Sequence, residues 1–394
     1  MKKQVVGILL CMVMIGSIIG PASGTVLLRD RPQPLLNGTT LYVGGSGPNN
    51  YSKIQEAIND ASDGDTVFVY DDSSPYFEAL QINRSISLIG EERHTTIIDS
   101  GSIKNTSTLN ISAAGAQVQG FTIQNCTSME EIHAGIEIIA DNVLIKEDII
   151  KDNYIGILVS RFSYDYGHYM INHCIIDGND IYENIIAISL SMGEYSTISH
   201  NRISLNRNGI QLSPYDNSNI SANEITENND TGIYLNGVNN SIFQNNITGN
   251  HNGVVLQDSE KALIFQNNIT GNYWGVCLLN SVKTSIQQNN IYKNEIQSAW
   301  INIAPIVEFL ETKGRPLDNT WDGNYWGRAN QVPKPIFGFL WFLFLQLILK
   351  ISLHPLKILE ILLTGGTSFK ILVPFGPIIV KFDWHPAQKP YDIP

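Results

Sequence analysis

Asp148, Asp180, Arg202 and Glu224 are the residues best placed for acid–base chemistry. Each stands one position before an isoleucine, and the last three are 22 residues apart. If those isoleucines point into a core, a strand's period of two turns the charged residues outward onto one face. Carboxylates in such a row could protonate a glycosidic oxygen and activate water, or hold Ca²⁺. The bland alternative is cross-strand charge pairing, with Arg202 between acids. A second group, His168, Met170 and His173, followed by Cys174, offers imidazole, thioether and thiolate, the donors that select copper. A third is aromatic. Tyr273-Trp274 and Tyr325-Trp326 occupy matching repeat positions, and Phe243 lies one repeat before Phe265. Flat rings on a rigid surface bind sugars, and this is the reading we favour. None of the three groups requires a cofactor.

The elements that hold these residues follow from the repeat. Asn179, Asn201, Asn223, Asn245, Asn267 and Asn289 recur at a step of 22 residues. Ile181, Ile203, Ile225, Ile247, Ile269 and Ile291 follow two positions later, and Asn184, Asn206, Asn228, Asn250, Asn272 and Asn294 three beyond those. A further isoleucine row runs from Ile176 to Ile286, five residues ahead of the central one. Twenty-two residues at these Asn and Gly frequencies cannot hold two helices but can hold three short strands with tight turns. The fold class is therefore all-β, a parallel β-solenoid of about ten coils. Equivalent residues then stack ~4.8 Å apart along the axis. The inward isoleucines form the core. The asparagines sit at turns in the αL conformation and hydrogen-bond their neighbours above and below.

Of the 394 residues, 43% are hydrophobic and 16% charged, enough for a large core spread along one axis. A net charge of -12 argues against nucleic acid as a partner. Residues 1–24 read as a secretory signal, with Lys2 and Lys3, an apolar run from Val5 to Ile19, and small residues after it. The mature chain is then secreted or held at the cell surface. Cys126, Cys174 and Cys277 are odd in number and fall in different repeat rows, so they read as buried thiols and not as disulfides. Asn246 and Asn268, each opening an Asn-Ile-Thr sequon one residue before an inward isoleucine, are the best glycosylation acceptors.

Residues 41–65 read as an N-terminal capping segment with an amphipathic helix over Tyr51 to Ser62. Residues 66–330 form the coils. The step from Ile149 to Ile181 is 32 residues, so an excess around Arg161 to Met170 must leave as a loop. Asn319, Trp321 and Asn324 align with Asn267, Ile269 and Asn272, which puts Trp321 at the core position of a last coil. Residues 331–394 form an appendage. Its apolar stretches within 336–363 are too short to cross a bilayer as one helix, and Pro355 interrupts them. Three readings stand: a helical hairpin capping the solenoid, a segment in a membrane interface, or a tilted anchor. The tail from Phe382 to Tyr391 folds back onto the body.

The helix YSKIQEAINDASDGDTVFVY, the strands SISLIG and TTIID, the NNITGN coils, NTWDGNYWG and FDWHPAQKPYDI resemble a known group. They are similar to the secreted right-handed parallel β-helix repeat proteins of archaea, grouped with the NosD-like periplasmic copper-binding family. The resemblance covers residues 41 to 330 and the final dozen. It implies a right-handed parallel β-helix and gives the His168, Met170 and His173 group a reason to be tested for copper. The wider superfamily it resembles contains carbohydrate-binding and sugar-cleaving proteins. The expected function is a non-catalytic glycan-binding or adhesion module, its partner a polysaccharide or surface glycan. The alternatives are a polysaccharide lyase or glycoside hydrolase and a copper-associated protein.

Overall fold

The computed structural model describes residues 38–101, 103, 105–127, 133–160, 170–302, 319–327, 334–340, 369–373, 376–383, 386–387 and 389–393. The signal segment, the core of the 161–170 loop and residues 341–368 lie outside these. The chain is an all-β parallel solenoid of about eleven turns, with about 22 residues per coil. From Ser87 on, a typical coil passes through a short strand of a first, 12-stranded sheet, then a 9-stranded second sheet, then a strand of a 13-stranded third sheet, counted over the described residues. A small fourth sheet joins Ile171–Asn172, Gly193–Glu194 and Tyr215–Asp216. The isoleucine rows are inward as expected. Ile176 to Ile286 line the first sheet and Ile181 to Ile291 the second, each essentially inaccessible to solvent.

Both inner asparagine rows are ladders. Asn245 accepts the backbone N–H and side-chain amide of Asn223 on its Oδ1, at 3.0 and 2.9 Å. Its own Nδ2 donates to the Ile220 carbonyl at 2.9 Å and to Asn267 Oδ1 at 3.0 Å. Every polar atom of a buried amide is thereby used, which is what burial demands. One expectation needs correction. The αL residues are not the asparagines but those directly before them, such as His200, Ala222, Gln244 and Gln266. The sharp turn is made by the outward residue, and this leaves each asparagine pointing inward to bond along the axis.

A third inward row makes the corner into the third sheet close-packed. At Gly253, an added Cβ would meet the Gly275 carbonyl oxygen at 2.6 Å and Ile269 Cγ2 at 3.0 Å. Glycine therefore occupies most of the row, with Ala187 replacing it in one coil and Gln297 in the last.

The helix spans Ile54–Asp60, shorter than the periodicity suggests, and buries Ile54, Ala57 and Ile58. Its first N–H groups, on Ile54 and Gln55, donate to the Glu78 carboxylate at 2.9 and 3.0 Å. The Gln55 side chain accepts the Gln81 N–H at 2.7 Å and so occupies the free edge of the third sheet's first strand, Leu80–Ile82. Covering an edge in this way blocks pairing between molecules.

At the other end the helical hairpin is corrected in its first part. Lys334–Leu340 is a strand, parallel to Ile296–Asn302 and antiparallel to Gly376–Asp383. Gly376–Asp383 in turn pairs antiparallel with Phe369–Val373. Phe, Ile and Leu in this run suit a strand as well as a helix, and the open edge of the third sheet supplies the partner. Among the described residues no helix is long and apolar enough to cross a membrane. The tail does return to the body: Tyr391 N–H donates to Asn290 Oδ1 at 2.8 Å and its hydroxyl to the Gly323 carbonyl at 2.6 Å.

Candidate functional site

Asp180, Arg202 and Glu224 are consecutive outward rungs of the second sheet, followed by Asn246, Asn268 and Asn290. Arg93 reaches Asp180 at 3.0 Å, and Arg202 Nε lies 3.7 Å from Glu224. The two acids stand two rungs apart, ~10 Å along the axis, with a guanidinium between them. This arrangement pairs charges. On the rung next to its own, each acid faces a guanidinium and not a second carboxyl.

Asp148 does not belong to this row. It is fully buried and takes the first position of the inner ladder, donating its backbone N–H to Asn179 Oδ1 at 3.0 Å. The residue outward beside Asp180 is Ile149, and Ile150 is the inward one. Adjacent isoleucines at 149 and 150 made the two faces indistinguishable by pattern. Asp148 Oδ1 accepts the Phe121 N–H at 2.8 Å, while Oδ2 has no hydrogen-bond partner. Burial away from water pushes its carboxyl up to about 8, against the opposing backbone hydrogen bonds from Phe121 and Gly120. At neutral pH it is held as the uncharged acid.

The described residues do not fit a copper centre. His173 stands at a corner in the αL conformation, its ring stacked on Tyr195 at 5.3 Å, and Met170 is 63% exposed. Burial raises the Cys174 thiol to about 12, which opposes the thiolate that copper would need. His168 lies outside the described residues. Among those described, no three His, Cys, Asp or Glu side chains group as a metal site. Cys126 and Cys277 are also buried free thiols.

The aromatic candidates separate onto three places. Phe243 and Phe265 are outward neighbours on the first sheet, stacked at 5.0 Å and 13°. Tyr273 stands at the corner between second and third sheets, 46% exposed and stacked on His251 at 4.9 Å, with Trp274 edge-on to it at 6.1 Å. Tyr325 and Trp326 are not their equivalents. Tyr325 bridges Asn290 at the end of the second sheet, and Trp326 packs 6.0 Å from Trp321. Trp321 itself pairs with Ile286 on the first sheet, not with the Ile269 row. The pattern Ile-x-x-Asn occurs twice per coil at a five-residue offset, and in one coil both copies open on asparagine, Asn240 to Asn245 and Asn245 to Asn250, so alignment could not choose between them. Asn324 accordingly ends the first ladder, accepting from Asn289 N–H at 3.0 Å, and the second stops at Asn294.

Asn246 and Asn268 face outward, as expected, and the Asn268 amide donates to Asn246 Oδ1 at 2.9 Å. Sequence reasoning missed a second aromatic group at the opposite end of the first sheet: Tyr42, Phe68 and Tyr70, with Phe68 and Tyr70 edge-to-face at 5.1 Å. The alternation in TLYV and TVFV carried that signal.

Stacked parallel strands, amide ladders and charge-paired or aromatic outer rows define a parallel β-helix repeat protein. Comparison supplies the family. Residues 165–331 match the family model of the periplasmic copper-binding protein NosD, and residues 84–220 match a protein family of unknown function, DUF1565. These matches and the parallel solenoid support a NosD-like β-helix repeat over residues 165–331. No curated protein sequence matches it. Among solved structures, the A-module of Azotobacter vinelandii mannuronan C-5 epimerase AlgE4 is similar at 15% identity and TM-score 0.55, over 72% of this chain and 88% of that one. The complex of XylC with xylose is similar at 11% identity and TM-score 0.52, over 73% and 83%. The Dettilon tailspike protein gp208 is similar at 13% and 0.54, over 73% and 62%. At these identities the likeness is one of fold.

Proposed function

We propose that this chain is a non-catalytic glycan-recognition module working outside the cytoplasm. The observation that carries the reading is one unbroken outward file of the first sheet. It runs Tyr42, Phe68, Ile89, Gln119, Lys146, Asp177, Ser199, Ser221, Phe243, Phe265. Gln287 and Asp322 continue it beyond Phe265; aromatic ledges flank a stretch of amide and charged groups with the nearly buried Ser199 and Ser221. In the middle, Asp177 Oδ1 accepts from Ser199 Oγ at 2.7 Å and lies 2.8 Å from His200 Nδ1, a fixed acceptor facing solvent. From Phe68 to Phe243 is seven rungs, ~34 Å, a length that suits an extended polymer and exceeds any monosaccharide. Rings that bind the apolar faces of sugars, and polar groups that bind their hydroxyls, are the components of such a surface.

Further support comes from the neighbours. The three similar structures are of a mannuronan epimerase module, a xylose complex and a tailspike. The periplasmic description of the matched family agrees with the secretory reading of residues 1–24. The guanidinium-paired acids of the second sheet favour binding over cleavage. The test is retention of the purified chain on a panel of immobilised polysaccharides, with released oligosaccharides counted in the same wells. Retention without release is expected, and Phe243→Ala should weaken it. Release that is abolished by Asp180→Asn would replace this reading with an enzyme; neither signal would leave a structural scaffold.

A further inference from the structure

Ser189, Gln211 and Tyr234 are consecutive outward rungs in the middle of the third sheet. The rungs on either side of them, Leu158 and Val255, are apolar and buried. Ser189, Gln211 and Tyr234, with Leu190 and Ser213, line a shallow cleft of about 240 Å³. Its polar groups are two serine hydroxyls, one carboxamide and one phenol, each able both to donate and to accept a hydrogen bond. Neither a basic nor an acidic side chain lines it. The Tyr234 ring is half-buried and supplies an apolar wall.

We propose that this cleft is a subsite for an uncharged sugar residue, a proposal that rests on the glycan reading above. Sugar hydroxyls are themselves paired donors and acceptors, so they match a lining of Ser, Gln and Tyr. A uronate carboxylate does not match. It would lose water with no cation to receive it, a cost that neutral lining groups do not offset. The surroundings add to this. Asp258 stands close enough to raise the Tyr234 hydroxyl further, after burial, and the whole chain carries a charge of -12. The cleft is smaller than the ~300 Å³ of the smallest common ligand pockets, so it takes a single ring or a pair, not a chain. The first-sheet file would hold the polymer; the cleft would select for one of its units or branches.

The experiment titrates the full chain by calorimetry with xylotriose, cellotriose, mannotriose and trigalacturonate, beside the polysaccharide retention assay. At least one neutral trisaccharide should bind and trigalacturonate should not. Tyr234→Ala should weaken binding about tenfold, through loss of ring contact and one hydrogen bond. Gln211→Ala, a side chain at the surface, should weaken it about threefold and serves if the Tyr234 variant does not fold. Tighter binding of trigalacturonate than of any neutral sugar overturns the proposal. So does polysaccharide retention with neutral trisaccharide binding that is absent or unchanged in both variants, and in that case the glycan reading survives. No retention on any polysaccharide overturns that reading and the subsite with it.

Discussion

Asn245 and Asn246 are adjacent in the chain and opposite in the fold. Asn245 belongs to the inner ladder, wholly inaccessible to solvent, with hydrogen bonds of 2.9–3.0 Å to the coils above and below. Asn246 belongs to an outer file and accepts from the Asn268 amide at 2.9 Å. The rung spacing and the bond lengths are the same. The difference is water: the inner amides have no alternative partner, while the outer ones exchange one partner for solvent. The comparison teaches that in this solenoid a repeated residue is informative about stability only once its face is known.

The largest expected effect breaks the inner file. Asn245→Ala removes the acceptor of the Asn223 N–H and the donor to the Ile220 carbonyl, both buried, and leaves a cavity. At ~1–3 kcal/mol for each unsatisfied group, the loss should be about 5 kcal/mol, read as a lower urea midpoint with unchanged slope.

The next effect comes from Asp148, the carboxylate that stands in the asparagine ladder. Burial pushes the folded Asp148 carboxyl up to about 8, well above the ordinary aspartate range of about 4. Its folded pKa is raised, so the folded state binds the extra proton. Stability is therefore full below pH ~4, falls as pH rises, and levels off only above about pH 8. The loss by pH 7 should be on the order of 4 kcal/mol. Asp148→Asn should restore the amide and remove this slope, making the variant more stable than the wild type at pH 7 and above. Equal pH dependence in the two proteins, measured by urea denaturation from pH 4 to 9, would show that Asp148 is not the titrating group.

A smaller effect tests the corner. Gly253→Ala would drive a methyl group to 2.6 Å from the Gly275 carbonyl oxygen, and the third sheet would have to shift to admit it. A loss of ~1–3 kcal/mol is expected from such overpacking. Gly253 thus matters for its missing side chain, where Asn245 matters for the side chain it has.

What could be read from the sequence follows the same division. The period, the isoleucine rows and both inner ladders were legible because a 22-residue coil returns each inward position to the same environment, which admits few residue types. Register failed where neighbours were chemically alike. Leu144-Ile145 and Ile149-Ile150 satisfy either face, and that placed Asp148 outside. Trp321 was misplaced because two ladders share one motif. The outer surface was least legible. Ser189, Gln211 and Tyr234 share a file without sharing a type, since solvent imposes no common requirement, and only register brings them together. The carboxylate row was read from its spacing, and register does align Asp180, Arg202 and Glu224 while removing Asp148; the copper group was read from residue type, and His168 lies outside the described residues.

The smallest effect is expected at the outer file. Asn268→Ala deletes the 2.9 Å donor to Asn246 Oδ1, a bond as short as those of the inner ladder. Asn268 is half-buried, so water can replace the lost amide at Asn246, and the side chain freed from the file regains rotamer entropy. The change in stability should stay within about 0.5 kcal/mol. If instead it approached the loss for Asn245→Ala, the stacked amides themselves, and not their burial, would be the source of ladder stability, and the outer asparagines would have to be counted as part of the framework. A near-neutral result leaves that outer file free to vary, consistent with Asp180, Arg202 and Glu224 occupying its earlier rungs without disturbing the coil beneath.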